Sequence, residues 1–500
     1  MVAHHAGIVL LIFIEMIDIQ TKIHDKFSIE FKIGFSGREG VKVDHFDVNS
    51  WIFLPNGLDI NKSTYSKDRF FSDMKSNIRL LTPSFTMREM TEGEASPFQH
   101  VKRSLQALLE QHLPERLNEF EFQLKLFGSI FKSAIRNESA EIMNRANDHL
   151  IYERCMVYAD DLCHVLESYR SLFEMVDANS QDLVTKMAFT DEFMSHQVEL
   201  RTMKILKSLR HLDIPEVKDS FSALADMLKK ETAYKVAKGY SHAVLNDKDN
   251  NRKLLYRHSL LKKYIESALF LKANTTQDGQ AVKQISFSLA AGLAMMVYLL
   301  ITMPFQKYLG NYPSLIFFIL VLFYILKDRI KELTRWLFAY QLKDKYYDNK
   351  TVVNIKDLKV GWIKEGMDFI TDDKVPEEVL KLRDRNKLEA DNKFLDEKII
   401  LYRKRVEIDN AVLKNQYNYD FKGINDIIRY HINYLTKKMD NPESVITCLD
   451  ENQQLQTATA ERVYIMHFVL QFKWEDQVEY KAFHVYVNRN GIMDIKTNEQ

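Results

Sequence analysis

The chain has 500 residues, with 69 basic and 69 acidic side chains and a formal net charge of +0, so it offers no global electrostatic case for nucleic acid or for one strongly charged partner surface. Its 9 prolines and 15 glycines leave little material for long disordered linkers. The 3 cysteines, Cys155, Cys163 and Cys448, form no CxxC pair and exclude a disulfide framework, which fits a reducing compartment.

Residues 1–95 read as a β-rich region with one short helix. Gly7 to Ile14 is apolar like the centre of a signal peptide, yet no Lys or Arg precedes Lys22 and Glu15 follows at once, so no signal peptide is expected. Phe27, Ile29, Phe31 and Ile33 alternate with polar residues, and Val41 and Val43 resume the alternation before Trp51 to Leu54. That period of two predicts a strand hairpin. Its turn, Gly34 to Lys42, is glycine-rich but places Val41 where a phosphate loop needs lysine. Phe71, Met74, Ile78 and Leu81 predict a short amphipathic helix ending before Pro83.

From residue 96 to 280 the period becomes helical. Leu117, Phe120, Leu124, Phe127, Phe131 and Ala134 step by three and four, and Ile151, Cys155, Tyr158, Leu162, Val165, Tyr169, Leu172 and Val176 continue that step as a heptad seam. Met187, Met194, Val198 and Ile205 supply a third stripe, Val217, Phe221, Leu224 and Leu228 a fourth, and Leu254, His258, Leu261 and Ile265 a fifth. A cytoplasmic antiparallel helical bundle with coiled-coil character is expected, its last helix leading into a membrane.

Residues 281–328 carry that membrane signal. No charge interrupts Ile285 to Met303, a run that at about 1.5 Å per residue reaches most of the way across a roughly 30 Å hydrocarbon core. Ser314 to Leu326 is a second, shorter apolar run, and Pro304 and Pro313 bracket the connection. A two-helix transmembrane hairpin is expected, with a buried hairpin in a soluble core as the alternative. Ser288 with Gly292 and Ala290 with Ala294 are small pairs that admit close helix approach. Lysines and arginines lie mainly outside the two runs, so both termini are expected on the cytoplasmic side of a cytoplasmic (inner) membrane.

Residues 329–442 are expected to hold a membrane-proximal basic helix, a short strand pair and a charged helical hairpin. Lys327, Arg329, Lys331, Arg335 and Trp336 are assigned to the membrane interface, where basic and indole groups are favoured. Strands are expected near Thr351 to Ile370. Leu388, Leu395, Ile399, Tyr402, Val406 and Leu413 suggest one helical arm, and Ile424, Ile428, His431 and Leu435 its return. Residues 443–500 predict an antiparallel β-meander, because Tyr464, Met466, Phe468, Leu470, Phe472 and Trp474 alternate on one face and Asn490–Gly491 is a turn signal. Tyr464, Phe468, Phe472 and Trp474 form a candidate partner face if left uncovered.

Chemical motifs are sparse. Glu153, Asp160, Glu167 and Glu174 recur every seven residues around His164, but off the apolar seam, which marks a solvated face. His196, His211, His242, His258, His431, His467 and His484 are scattered without HExxH or zinc spacing. No catalytic motif, cofactor or metal is expected. The class expected is therefore mixed α/β of the α+β kind, mainly helical and integral to a membrane. Its expected role is a non-catalytic membrane-tethered scaffold or sensor, with the lipid bilayer and either protein partners or further copies of itself as partners. An oligomeric channel or transport component is the alternative, followed by a membrane-anchored enzyme whose site assembles only in three dimensions.

Overall fold

The computed structural model describes residues 17–38, 40–146, 150–176, 180–210, 215–309, 313–342, 346–355, 358–385, 397–414, 419–451 and 453–498. Gly7 to Ile14, His211, Leu388 and Leu395 lie outside these residues. In chain order, β1 (Ile17–Asp25), β2 (Ser28–Ser36) and β3 (Val43–Leu54) precede α1 (Lys67–Asp73) and β4 (Met74–Leu80). Six helices follow: α2 (Pro97–Glu110), α3 (Pro114–Asn144), α4 (Ile151–Ser171), α5 (Gln181–Leu209), α6 (Pro215–Ala237) and α7 (Lys248–Glu266). β5 (Lys272–Gln277) leads to the long helices α8 (Gln280–Leu309) and α9 (Pro313–Leu342), then β6 (Asn349–Ile355), β7 (Leu358–Ile370) and α10 (Glu377–Arg383). The chain finishes with β8 (Lys398–Asp409), α11 (Asn410–Lys414), β9 (Gly423–His431), α12 (Asn433–Thr436), the ribbon β10 (Glu443–Leu449) and β11 (Leu455–Glu461), and the meander β12 (Tyr464–Trp474), β13 (Gln477–Asn488) and β14 (Gly491–Asn498). The class is α+β with antiparallel sheets, and about half the chain is helical.

Two compact units result. The first joins residues 1–78, 271–415 and 422–500. It contains an eight-stranded sheet in the order β14-β13-β12-β3-β8-β7-β6-β5 and a four-stranded sheet in the order β1-β2-β9-β4. The sheets face each other through aromatic side chains: Phe31 on β2 lies 5.5 Å from Phe468 on β12, and Phe35 on β2 lies 5.4 Å from Phe46 on β3. That packing is a sandwich core built from inward-facing alternate residues. On the other face of the large sheet, Val375 and Val379 at the start of α10 cover Trp51, Phe53, Ile399 and Val469.

Several sequence expectations are corrected in this unit. β2 and β3 alternate as predicted but are not a hairpin with each other: β2 pairs with β1 and β9, whereas β3 pairs with β12 and β8. The helix expected through Leu81 stops at Asp73, and Met74 to Leu80 is strand. The charged helical hairpin is absent from the described residues, because Ile399, Tyr402 and Val406 belong to β8 and Ile424 and Ile428 to β9. Three-and-four spacing of apolar residues arises by chance in a strand whose two faces are both covered.

The second unit joins residues 79–270 and 416–421 and is the helical bundle. Each residue of the seam from Ile151 to Val176 is buried, and Glu153, Asp160, His164, Glu167 and Glu174 are exposed, as the heptad geometry requires. Local signals start the helices: Ser96 caps α2 ahead of Pro97, and the Asp247 carboxylate accepts from the Asn250 amide at the start of α7. α7 does not run directly into the membrane-type helix. Residues 272–277 instead form β5, the edge strand of the large sheet in the first unit.

Candidate functional site

α8 and α9 interrupt a β-hairpin. β5, the edge strand, and its neighbour β6 are antiparallel, paired from Lys272–Asn354 to Gln277–Asn349, and both long helices sit in the connection between them. The junction is tightly made. Asp278 accepts from the Tyr347 amide at 3.2 Å and from Lys364 at 3.1 Å, and Thr275 and Thr351 hydroxyls meet at 2.9 Å. Gly279 opens α8 with φ +67, a left-handed conformation that favours glycine, and the Tyr346 ring occupies the space where a Cβ would stand.

Among the described residues α8 is the one helix long and apolar enough to cross a membrane, over Gln280–Pro304. Ala290 and Ala294 are buried where α8 meets α9, so this small pair carries the close approach. The other pair does not: the position of Gly292 opens onto empty space. Leu289, Leu293, Met296, Leu300 and Met303 are exposed. α9 differs from α8 in its second half. The Lys327 ammonium lies 3.9 Å from the Tyr324 ring and 5.8 Å from the Tyr298 ring of α8, and the Arg335 guanidinium lies 5.3 Å from the Phe287 ring of α8. The charged stretch from Lys327 to Arg335 therefore runs alongside residues 287–298 of α8, within its apolar run rather than beyond it. Lys331 pairs with Asp328 at 3.4 Å and Arg329 with Glu332 at 3.3 Å, while Trp336 is exposed. The five residues assigned to the interface thus share α9.

At the base of the hairpin a cavity of about 230 Å³ is lined by Lys67, Lys283, Arg403, Asp278, Asp348 and Asp368 together with Phe287, Tyr346 and Tyr347. Its carboxylates are already engaged. Lys67 donates to Asp348 at 2.8 Å and lies 3.2 Å from Asp368, and Arg403 donates to Asp368 at 3.0 Å. The cavity is a charge-balanced joint between the helices and the sheet.

The candidate partner face on β12 is covered. Phe468 and Phe472 are buried, and Tyr430 on β9 stands 6.2 Å from Phe468, so the face belongs to the core of the sandwich. Tyr464 and Trp474, at the strand ends, are half-buried. The Tyr464 hydroxyl donates to Asp440 at 3.0 Å.

Each unit contains a buried polar cluster that the sequence did not reveal. In the first, Lys404 on β8 is fully buried and pairs with the equally buried Asp426 on β9 and, at 3.3 Å, with Glu365 on β7. Burial opposes the Lys404 charge, but the two carboxylates outweigh it and raise its pKa above the ordinary lysine range. In the bundle, Arg170 on α4 donates to Asp191 on α5 at 3.0 Å and to Glu231 on α6 at 2.6 Å, and Tyr234 and Tyr240 both donate to Asp191. Such satisfied networks fix helix register and leave no reactive group free. Two histidine pairs complete the inventory. His196 on α5 stacks on His258 on α7 at 3.3 Å, and burial with the neighbouring His258 and Lys235 pushes His196 down to about 3. His467 and His484 meet across β12 and β13 with their Nδ1 atoms 2.7 Å apart, and burial together with Arg383 pushes His467 down to about 3. Among the described residues no group of three His, Cys, Asp or Glu side chains is placed to hold a metal.

Comparison with known proteins finds no matching family model, no matching curated protein and no matching solved structure. The fold and site define an α+β chain that carries one candidate membrane helix on a sheet edge.

Proposed function

We propose that the chain is a membrane-tethered scaffold or sensor whose two units lie on the cytoplasmic side of a cytoplasmic membrane, with α8 and α9 crossing the bilayer as a two-span anchor. The observation that carries this reading is the bare apolar surface of α8, continued on α9 by Phe318, Leu322 and Ile325, in a chain that closes the aromatic face of β12. The insertion of the hairpin between β5 and β6 gives the sensor its mechanics: displacement of the helices pulls on the edge of the large sheet rather than on the bundle. Alkaline carbonate extraction of membranes from cells expressing the full chain tests the anchor. The protein is expected in the pellet, and removal of residues 281–342 should release it; a wild-type chain that washes out ends the reading.

A second reading, an oligomeric channel or transport component, gains support from the charges of α9 beside the apolar run of α8. Charged side chains inside a bilayer commonly line polar paths. Purified protein that gives no ion conductance or solute flux in liposomes removes it.

A further inference from the structure

The outward face of α9 is built differently from that of α8. Phe318, Leu322, Ile325, Arg329, Glu332 and Trp336 recur at steps of four and three and are all exposed, with Phe318 at 70% and Trp336 at 60%. That spacing makes one straight seam on a helix that supercoils with another. Four of its members are apolar, but Arg329 and Glu332 stand at core positions of the seam. Their side chains are 78% and 66% exposed, and the pair between them is confined to this one helix turn.

The register with α8 places Arg329 and Glu332 between the levels of Phe287 and Tyr298, deep within the apolar run. The outer face of α8 carries no charge from Gln284 to Gln306 and can meet lipid directly. The α9 seam cannot, because an exposed guanidinium and carboxylate at that depth would lose their hydration with only the one contact between them to replace it. A second copy of the same chain meets the requirement. Two copies enter the membrane from the same side, so their α9 helices run parallel. In that arrangement equivalent seam positions share a layer and consecutive layers interdigitate, so Arg329 of one copy enters a hole walled in part by the glutamate at position 332 of the other. The charges then neutralise one another away from lipid, and Phe318, Leu322, Ile325 and Trp336 pack above and below them. Burial of one such polar layer also fixes the register of the pair.

We propose that α9 is a homodimerisation helix, joined to a second copy of this chain through the seam from Phe318 to Trp336 with Arg329 and Glu332 as its polar layer. The inference rests on the reading of α8 and α9 as a membrane hairpin.

The test uses the full chain in native membranes, with the exposed Cys448 and the half-buried Cys163 changed to serine and the buried Cys155 retained. Ile325→Cys on the seam and Leu300→Cys on the lipid-facing side of α8 are oxidised separately under mild conditions. Cross-linked dimer is expected for Ile325→Cys and none for Leu300→Cys. Arg329→Glu should abolish the cross-link, and Arg329→Glu with Glu332→Arg should restore it. Equal cross-linking at both sites, none at Ile325→Cys, or indifference to the charge reversal overturns the proposal. Failure of the membrane reading is seen separately: the chain would then leave the membrane in alkaline carbonate whatever its cross-linking.

Discussion

β12 and α8 both present long apolar faces, and the chain treats them in opposite ways. Phe468 on β12 is 2% exposed, beneath Phe31 and Tyr430, whereas Leu300 on α8 is 68% exposed with α9 alongside its helix. β12 was the better candidate for a partner surface by aromatic content alone. Phe31 comes from the opposite end of the sequence and Tyr430 from β9, and together they close it. α8 sits in the connection between the edge strand β5 and its neighbour β6. An apolar face left bare while a more aromatic one is closed marks an interaction surface, and the proposed reading assigns that of α8 to lipid.

The comparison can be broken at its buried side first. Phe468→Ala should lower the unfolding free energy of the sandwich by about 3–5 kcal/mol, as for a large aromatic side chain removed from a closed core. Leu300→Ala should change it by less than about 0.5 kcal/mol. Urea unfolding followed by tryptophan fluorescence reads both, and comparable losses would show that α8 is part of the same core. Asp426→Ala should cost a similar amount, about 3–5 kcal/mol, because it deprives the buried Lys404 of its closest partner. Replacing both partners, Lys404→Met with Asp426→Leu, should recover most of that loss in the same measurement.

On the membrane side, Leu300→Arg should weaken insertion by about 2.5–3.5 kcal/mol and move the chain toward the soluble fraction, without changing the melting of the bundle. Fractionation and calorimetry on the same preparation separate the two effects. A smaller difference should appear with pH. His196 and His467 have folded-state pKa values lowered to about 3, so between about pH 6.5 and 3 the unfolded chain binds protons that the folded chain does not. The stability they contribute is complete above about 6.5 and is lost as pH falls through that window. Melting temperatures should drop by a few degrees between pH 7 and 5, less so in His196→Phe, whereas α8 has no Asp, Glu or His between Lys283 and Lys307 and its retention in membranes should not change.

Much of this was legible in sequence where one period ruled alone. The seam from Ile151 to Val176 and the alternation of β12 both read directly, because the large apolar residues of each fall on one continuous stripe, although Val469 on the other face of β12 is buried too. β8 misled because its inward alternation, Ile400, Tyr402, Lys404, Val406 and Ile408, contains a lysine, and because Ile399 on its other face is also buried under α10. A buried lysine looks like a surface residue until its partner Asp426 is brought across from another strand. The same holds for Arg170, whose partners lie on two other helices, and for β2 and β3, whose pairing partners stand near the far end of the chain. The apolar run of α8 was clear from its length, but the level of the α9 charges beside it became visible only once the two helices were set in register.

The most direct test of the anchor is the reactivity of Leu300→Cys toward a water-soluble maleimide, in the purified full chain reconstituted into phosphatidylcholine vesicles and again in denaturant. Leu300 is open to its surroundings in the chain itself, so only an external cover can protect it. The account predicts protection in vesicles and full reaction in denaturant; rapid reaction in intact vesicles would place α8 in water and contradict it.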